Sequence, residues 1–365
     1  MTNLVLYRKY RPQKFSEFIG QEHIVKTLTN AISEGMVSHA YLFSGPRGSG
    51  KTTLARLLAK AVNCEKRKGF EPCDQCSSCK EITQGRAIDL IEIDAASHRG
   101  IDEIRELKNG IRFGPTKSKY KVFIIDESHM LTREASNALL KTLEEPPSNT
   151  IFILATTQIY KMIPTIISRC QRFDFRRLTL PEIMKKLERI SEKEKVKIER
   201  AALEFIALNA EGSFRDAESL FDQVLTFSGQ KKEIKTEDIK NLLGFIETRK
   251  VVEFTDFILK KDVPGAFQFL SEIREGGVNL QQFAKAFIEY LRKTLIFKTV
   301  GEENPAIAGL TKEEEKKLGE QAVSFKKDQL KKVLETFLEA ENKMRYSSIP
   351  QLPLELAIIE VCGVV

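Results

Sequence analysis

Short, largely apolar runs punctuate the first half of the chain. Ala40-Tyr41-Leu42-Phe43, Lys121-Val122-Phe123-Ile124-Ile125-Asp126 and Ile151-Phe152-Ile153-Leu154-Ala155 are too brief for helices. Nearly continuous apolar residues suit strands buried on both faces of a parallel sheet. Ile88 to Asp94 and Gln171 to Phe175 read as two further strands. Between them the period changes. Glu22 to Ser33 sets Ile24, Val25, Leu28 and Ile32 on one face, and Thr53 to Lys60, Ile101 to Ile111, Arg133 to Glu144 and Ile163 to Ser168 also have helical spacing. Pro146-Pro147 stops the fourth of these, and Pro12 argues against a helix through the N-terminal arm. Strands alternating with helices predict a doubly wound parallel α/β sheet. From Leu180 strand signals vanish. Helices are expected over 182–194, 201–209, 214–227 and 237–243, the last capped by Thr236, and then over 267–273, 283–297, 330–344 and 354–361. Three domains follow: 1–176, 177–243 and 244–365, with a boundary near Gly244.

The connection after the first strand changes the picture from fold to chemistry. Gly45-Pro46-Arg47-Gly48-Ser49-Gly50-Lys51-Thr52 is a complete G-x-x-x-x-G-K-[ST] phosphate loop between a strand and the helix that Thr53 opens. Glycines let consecutive N–H groups point at one anion, and the helix N-terminus adds its positive end. Lys51 would reach the β- and γ-phosphates, and the Thr52 hydroxyl would hold Mg²⁺. The third strand ends in Asp126-Glu127, at the edge where parallel sheets bind ligands. Asp126 can hold Mg²⁺, and Glu127 can take a proton from an attacking water. Thr156-Thr157, at the end of the next strand, could sense a γ-phosphate or simply turn the chain. Tyr7 to Pro12 alternates aromatics and cations, and could wrap nucleic acid, pack on an adenine, or stitch the arm to its domain.

Four of the six cysteines, Cys64, Cys73, Cys76 and Cys79, form C-x8-C-x2-C-x2-C. In a reducing, cytoplasmic setting such clustering points to a structural zinc at 64–79, with an iron–sulfur cluster as the lesser alternative. Cys170 and Cys362 stand alone and read as small buried residues. Composition adds little. The 365 residues are 42% hydrophobic and 30% charged, as in ordinary soluble proteins, with no stretch near the ~20 apolar residues of a membrane span and no secretory signal. A net charge of +7 permits a nucleic-acid partner without requiring one. The many phenylalanines of the last 120 or so residues fit either a bundle core or an oligomer interface.

Taken together, the chain resembles the gamma/tau family of bacterial DNA polymerase III clamp-loader subunits, which are AAA+ ATPases. The resemblance is carried by Tyr10-Arg11-Pro12, Phe15 to Gln21, His39 to Gly45, the cysteine insert, Asp126 to Leu131, Leu139 to Pro147, Ser168 to Phe173 and Gly212 to Ala217. It implies an AAA+ P-loop parallel-sheet ATPase domain with a zinc insert, a helical lid, and an all-α collar that drives oligomerisation. It also implies an ATP-driven machine that opens a ring-shaped sliding clamp and loads it on primed DNA during replication. The implied cofactors are ATP, Mg²⁺ and Zn²⁺. The implied partners are copies of the chain, delta and delta prime types of subunit, the clamp and primer-template DNA, in the cytoplasm with no membrane. By the same resemblance Gly45 to Thr53 would cradle the phosphates, and Lys51, Glu127 and Arg169 would be catalytic. Thr52 and Asp126 would hold magnesium, Thr157 would sense the γ-phosphate, and Arg215 would be the lid arginine. Arg169 would be a finger reaching a neighbour's ATP. Tyr10, Arg11, Pro12 and Ile19 would line the adenine, and Arg99 and Arg105 could face DNA. Longer members of the family carry further domains for the helicase and polymerase, and this chain stops where the collar should end. Two other classes stay open: a different AAA+ motor, such as a branch-migration helicase, and a non-hydrolysing scaffold subunit.

Overall fold

The computed structural model describes residues 5–97, 114–229, 233–242, 248–301, 304, 307 and 312–363. The expected helix over 101–111, with Arg99 and Arg105, lies outside them. The chain divides into two compact units, Met1–Thr236 and Glu237–Val365.

The first unit is built on a five-stranded sheet. Its strands are β1 (Ala40–Ser44), β2 (Leu90–Asp94), β3 (Lys121–Asp126), β4 (Thr150–Thr156) and β5 (Gln171–Asp174), in the order β2-β3-β4-β1-β5. Every pairing is parallel. β1 and β4 are buried along their whole length, which is why their sequences are apolar without alternation. The two-residue period survives within them. Tyr41, Phe43, Val122, Ile124, Ile151 and Ile153 pack on one face with the helix Lys51–Val62. Ala40, Leu42, Phe123, Ile125, Phe152 and Leu154 pack on the other with Leu139 and Leu143 of the helix Arg133–Glu144. Phe123 and Phe152 stack there with centroids 5.1 Å apart. Cutting either to alanine would cost about 3–5 kcal/mol. This doubly covered parallel sheet is the expected fold class. It also places the carboxyl ends of β1, β3 and β4 side by side.

Beyond the sheet come the helices Leu180–Glu194, Arg200–Asn209 and Phe214–Ser228. Strand does not vanish here as expected. Two-residue strands, β6 (Lys197–Ile198) and β7 (Glu233–Ile234), pair in parallel and tie the start of the region to its end. Thr236 opens its helix, but both its N–H and its hydroxyl are bonded to the Glu199 carboxylate, at 3.0 and 2.8 Å. Among the described residues of this unit two further α-helices were not anticipated: Leu6–Lys9, just before Pro12, and Ser77–Gln84, inside and beyond the cysteine insert.

Among its described residues the second unit is helical: Thr248–Lys260, Val263–Glu275, Leu280–Val300, Lys312–Ser324, Lys327–Met344 and Leu352–Cys362. Its phenylalanines answer the question left by the sequence. Phe254, Phe283, Phe287 and Phe337 meet edge-on or stacked in one core, with Phe287 only 4.7 Å from Phe337 and 4.8 Å from Phe254. They are bundle core. No described helix is long and apolar enough to cross a membrane.

Candidate functional site

The phosphate loop runs from the end of β1 into the helix Lys51–Val62. Gly45 donates its N–H to the Thr156 carbonyl (3.1 Å), so β4 fixes where the loop starts. Gly48 and Gly50 have φ of +74° and +98°, a region that side chains rarely adopt. Space excludes side chains too: a Cβ on Gly48 would overlap the Ser213 hydroxyl, and one on Gly50 would lie 2.7 Å from the Phe18 ring. Ser49 is buried and donates its hydroxyl to the Pro46 carbonyl at 2.8 Å, while Arg47 is exposed at the loop tip. Lys51 is buried, and its ammonium donates to the Gly45 and Pro46 carbonyls at 2.8 Å each. Burial pulls its pKa below the ordinary lysine value, against the attraction of Asp126 and Glu127. Thr53, half-buried, follows in the helix.

The acids at the end of β3 meet this loop. Thr52 donates its hydroxyl to Asp126 Oδ2 at 2.7 Å, and Asp126 Oδ1 accepts the Glu127 N–H at 2.9 Å. A hydroxyl and a carboxylate side by side form the start of a hard oxygen donor set, the chemistry that fits Mg²⁺. Glu127 sits at φ +47°, a strained conformation for a long side chain. Thr157 donates its hydroxyl to Glu127 Oε2 at 2.8 Å and its N–H at 3.3 Å. The His129 ring lies 3.4 Å from the same oxygen and shares a 2.9 Å hydrogen bond with Thr156 Oγ1. Lys51, Thr52, Asp126, Glu127 and Thr157 are thus gathered at one sheet edge.

The remaining candidates are placed more diversely. The lid touches the loop directly: Phe214 donates its N–H to the Gly48 carbonyl at 3.1 Å. Arg215 is exposed, with its guanidinium 5.0 Å from the centre of the Tyr7 ring. Ile19 lines a cavity of about 250 Å³ with Ser16, Phe18, Gly20, Pro181, Glu182 and lid cations Lys185 and Arg189. Tyr10, Arg11 and Pro12 are not among its walls. Tyr10 meets the lid: its hydroxyl donates to Glu194 at 2.7 Å and its carbonyl accepts from Lys186 at 2.6 Å. Arg11 and Pro12 are half-buried, and the Arg11 carbonyl accepts from the Gln13 amide at 3.0 Å. Arg169 follows the short helix Pro164–Ile167 and pairs with Glu144 at 2.6 Å. Sequence reasoning missed Phe18 as the cover over Gly50, Ser213 as the wall on Gly48, and the lid side chains of the cavity. Only the fold brings these together.

The cysteines converge. The sulfurs of Cys64, Cys73, Cys76 and Cys79 lie within 4.8 Å of one another, with Cys64–Cys76 and Cys73–Cys79 at 4.0 Å. Tetrahedral thiolates around a metal at ~2.3 Å would stand about 3.8 Å apart. Backbone N–H groups aim at the sulfurs as they do at thiolates: Cys73 N–H to Cys64 at 3.2 Å, Cys76 N–H to Cys73 at 3.3 Å and Cys79 N–H to Cys76 at 3.5 Å. The group has the donors and spacing for a metal ion. Outside it, burial pushes the Cys170 thiol up to about 12, and Cys362 is buried in the helical core.

A parallel sheet in this order, a phosphate loop after β1, acids after β3 and a helical lid define the AAA+ fold. The solved Thermotoga maritima RuvB Holliday junction branch migration motor shares it, with a TM-score of 0.51 at 21% identity over 68% of this chain and 79% of that one. Family models separate the possibilities that the fold leaves together. Residues 20–179 match DNA polymerase III, delta subunit; 182–230 match the DNA polymerase III clamp loader subunit, ATPase lid domain; and 234–365 match DNA polymerase III subunits gamma and tau domain III. DNA polymerase III subunit gamma of Buchnera aphidicola is 36% identical over the full length of both chains. Subunit tau of Bacillus subtilis is 42% identical over 99% of this chain, and that of Escherichia coli 43% over 76%. The chain spans 64% and 43% of the length of those two tau relatives. It belongs to the gamma/tau family of DNA polymerase III subunits.

Proposed function

We propose that this chain is an ATP-hydrolysing clamp-loader subunit. In this reading it works in the cytoplasm, in a ring with copies of itself and with delta and delta prime types of subunit, to open the sliding clamp and place it on primer-template DNA. The three-domain division of 1–176, 177–243 and 244–365 belongs to this reading, with the last part as the oligomerising collar. The observation that carries it is the 2.7 Å bond from Thr52 to Asp126, with Lys51 and Glu127 at the same sheet edge. A phosphate loop and its acidic strand in working register account for that meeting.

Each side chain then has a task. Gly45 to Thr53 offer N–H groups to the phosphates. Lys51 gives up the Gly45 and Pro46 carbonyls to meet the β- and γ-oxygens, a local exchange of partners for a cation already desolvated. Thr52 and Asp126 hold Mg²⁺, which neutralises charge on the phosphates when bound. Glu127 orients and deprotonates the attacking water. Thr157 now holds the Glu127 carboxylate, and turning to a γ-phosphate oxygen would release that carboxylate to the water. Arg215 leaves the Tyr7 ring to report the nucleotide. Arg169 serves the site of a neighbouring subunit. Ile19, Tyr10, Arg11 and Pro12 bound the adenine side. Cys64, Cys73, Cys76 and Cys79 would hold zinc as a structural ion, with four thiolates as its ligands.

ATP turnover by the assembled complex, measured with and without clamp and primed DNA, tests the reading. Joint addition should stimulate it strongly. Turnover that ignores the clamp and responds to four-way junctions would instead place the chain among other AAA+ motors. Undetectable turnover would make it a scaffold.

A further inference from the structure

The cysteine insert does more than fold upon itself. Lys60, on the inner face of the phosphate-loop helix, is 1% exposed. Its ammonium has three donors, and all three are taken: Gln13 Oε1 at 2.8 Å, Thr83 Oγ1 at 2.9 Å and the Asp74 carboxylate. Asp74 lies between Cys73 and Cys76 at φ +58°, and Thr83 lies on the helix that starts after Cys76. Both partners are therefore set by the cysteine loop, while Gln13 belongs to the N-terminal segment. A second clasp sits beside the first. The Glu71 carboxylate accepts the Phe15 N–H at 2.9 Å and the Ser16 N–H at 2.8 Å, one on each oxygen. A third is the Phe70 ring, edge-on to Phe15 at 6.2 Å.

The clasped segment leads straight to the nucleotide side. Two residues after Ser16, the Phe18 ring covers Gly50 of the phosphate loop, and Ser16, Phe18 and Ile19 wall the cavity under the lid. We propose that the metal-loaded cysteine insert is a positioning device, which through Glu71 and the Asp74–Lys60–Gln13 bridge holds residues 13–19 as the base-side wall of the nucleotide pocket. The inference rests on the nucleotide-binding reading of the loop. It adds that affinity for the base half of ATP depends on the insert, whereas affinity for the phosphates does not.

Calorimetric titration of the full chain with ATP and with inorganic triphosphate tests this, in the parent and in Glu71→Ala. Two charge-assisted hydrogen bonds are lost in the variant, so ATP should bind about tenfold more weakly or worse. Triphosphate should bind within about twofold of the parent. The second arm needs no substitution. Zinc removed from the parent by a chelator should weaken ATP binding selectively, and reloading should restore it. This arm decides the matter if the variant does not fold. Unchanged ATP affinity in the variant or the stripped chain, equal loss for both ligands, or failure to take up metal would each overturn the proposal. A parent that binds neither ligand would sink the nucleotide reading itself, and this inference with it. Tight parental binding with no selective loss sinks the inference alone.

Discussion

Arg169→Ala separates two accounts of one arginine. In the isolated chain its guanidinium bonds Glu144 at 2.6 Å and the Thr165 carbonyl at 2.9 Å, with side chains 34% and 50% exposed for Arg169 and Glu144. An exposed pair of this kind contributes about 0.2–1 kcal/mol. The carbonyl bond adds about 0.5–1.5 kcal/mol net. Losing both should lower the melting temperature of a unit this size by roughly 1–10 °C and leave ATP binding intact. A finger acting across a subunit boundary is worth about 10³–10⁵ in rate, or roughly 4–7 kcal/mol at 1.36 kcal/mol per decade. That exceeds everything the local contacts hold. The expected result is a folded variant that binds ATP and assembles, yet hydrolyses at least ~100-fold more slowly in the complex. Glu144→Ala is the control. It removes the same ion pair but leaves the guanidinium free, so turnover should stay near the parent value. Mixing Arg169→Ala with Lys51→Ala subunits should then recover activity that neither has alone, since one supplies intact loops and the other intact arginines. Equal loss in Glu144→Ala, or no recovery on mixing while both proteins assemble, would refute the reasoning.

Lys51→Ala should abolish measurable ATP binding if, as proposed, this one buried cation serves the β- and γ-phosphates; near-normal affinity in a fluorescence titration would contradict the loop's assignment. Purified, reduced protein should contain about one zinc per chain, and Cys76→Ser should lose it while triphosphate binding persists; metal analysis decides. The Arg176 guanidinium, with backbone and side-chain bonds from Thr179, holds the Glu182 carboxyl at about 2. That stability is complete above the ordinary value near 4.5 and is lost as pH falls towards 2. Allowing for solvent around Arg176, it amounts to about 2 kcal/mol, which Glu182→Gln should remove from acid-unfolding curves. Glu218 behaves oppositely. Burial raises it to about 7 against the pull of Lys186, so its contribution is complete below about 4.5 and lost as pH rises through 7. Melting temperatures at pH 6 and 8 should therefore differ less in Glu218→Gln than in the parent.

The legible parts of this protein were those whose cause lies within a few residues. The loop carries its own glycines, and β1, β3 and β4 declare their burial by omitting polar residues, so the meeting of Thr52 with Asp126 follows from sheet topology. The helix Lys312–Ser324 was illegible because its lysines and glutamates outnumber its buried positions. It is held instead by Leu318 and by Gln321, whose amide bonds Tyr290, Val252 and Asp256 on other helices. The phenylalanines after residue 250 announced burial but not against what. Tyr10 gave no sign of its partners Glu194, Lys186 and Lys193, all on a lid helix far along the chain. Glu71 gave no signal either. A carboxylate in a cysteine loop looks solvated until the fold sets two backbone amides against it.

The contact of Ser213 and Phe214 with Gly48 bears on how inactive variants are interpreted. A loop glycine is ordinarily blamed on phosphate when its replacement abolishes turnover. Here the first atom of any side chain at Gly48 would strike Ser213 of the lid, and the carbonyl of the same residue is the acceptor for the lid's Phe214 amide. The position is a seat for the lid as much as a turn of the loop. A side chain there would unseat the lid whatever it did to a bound phosphate. Loss of function at Gly48 accordingly says nothing about phosphate contacts until the seating of the lid has been measured separately.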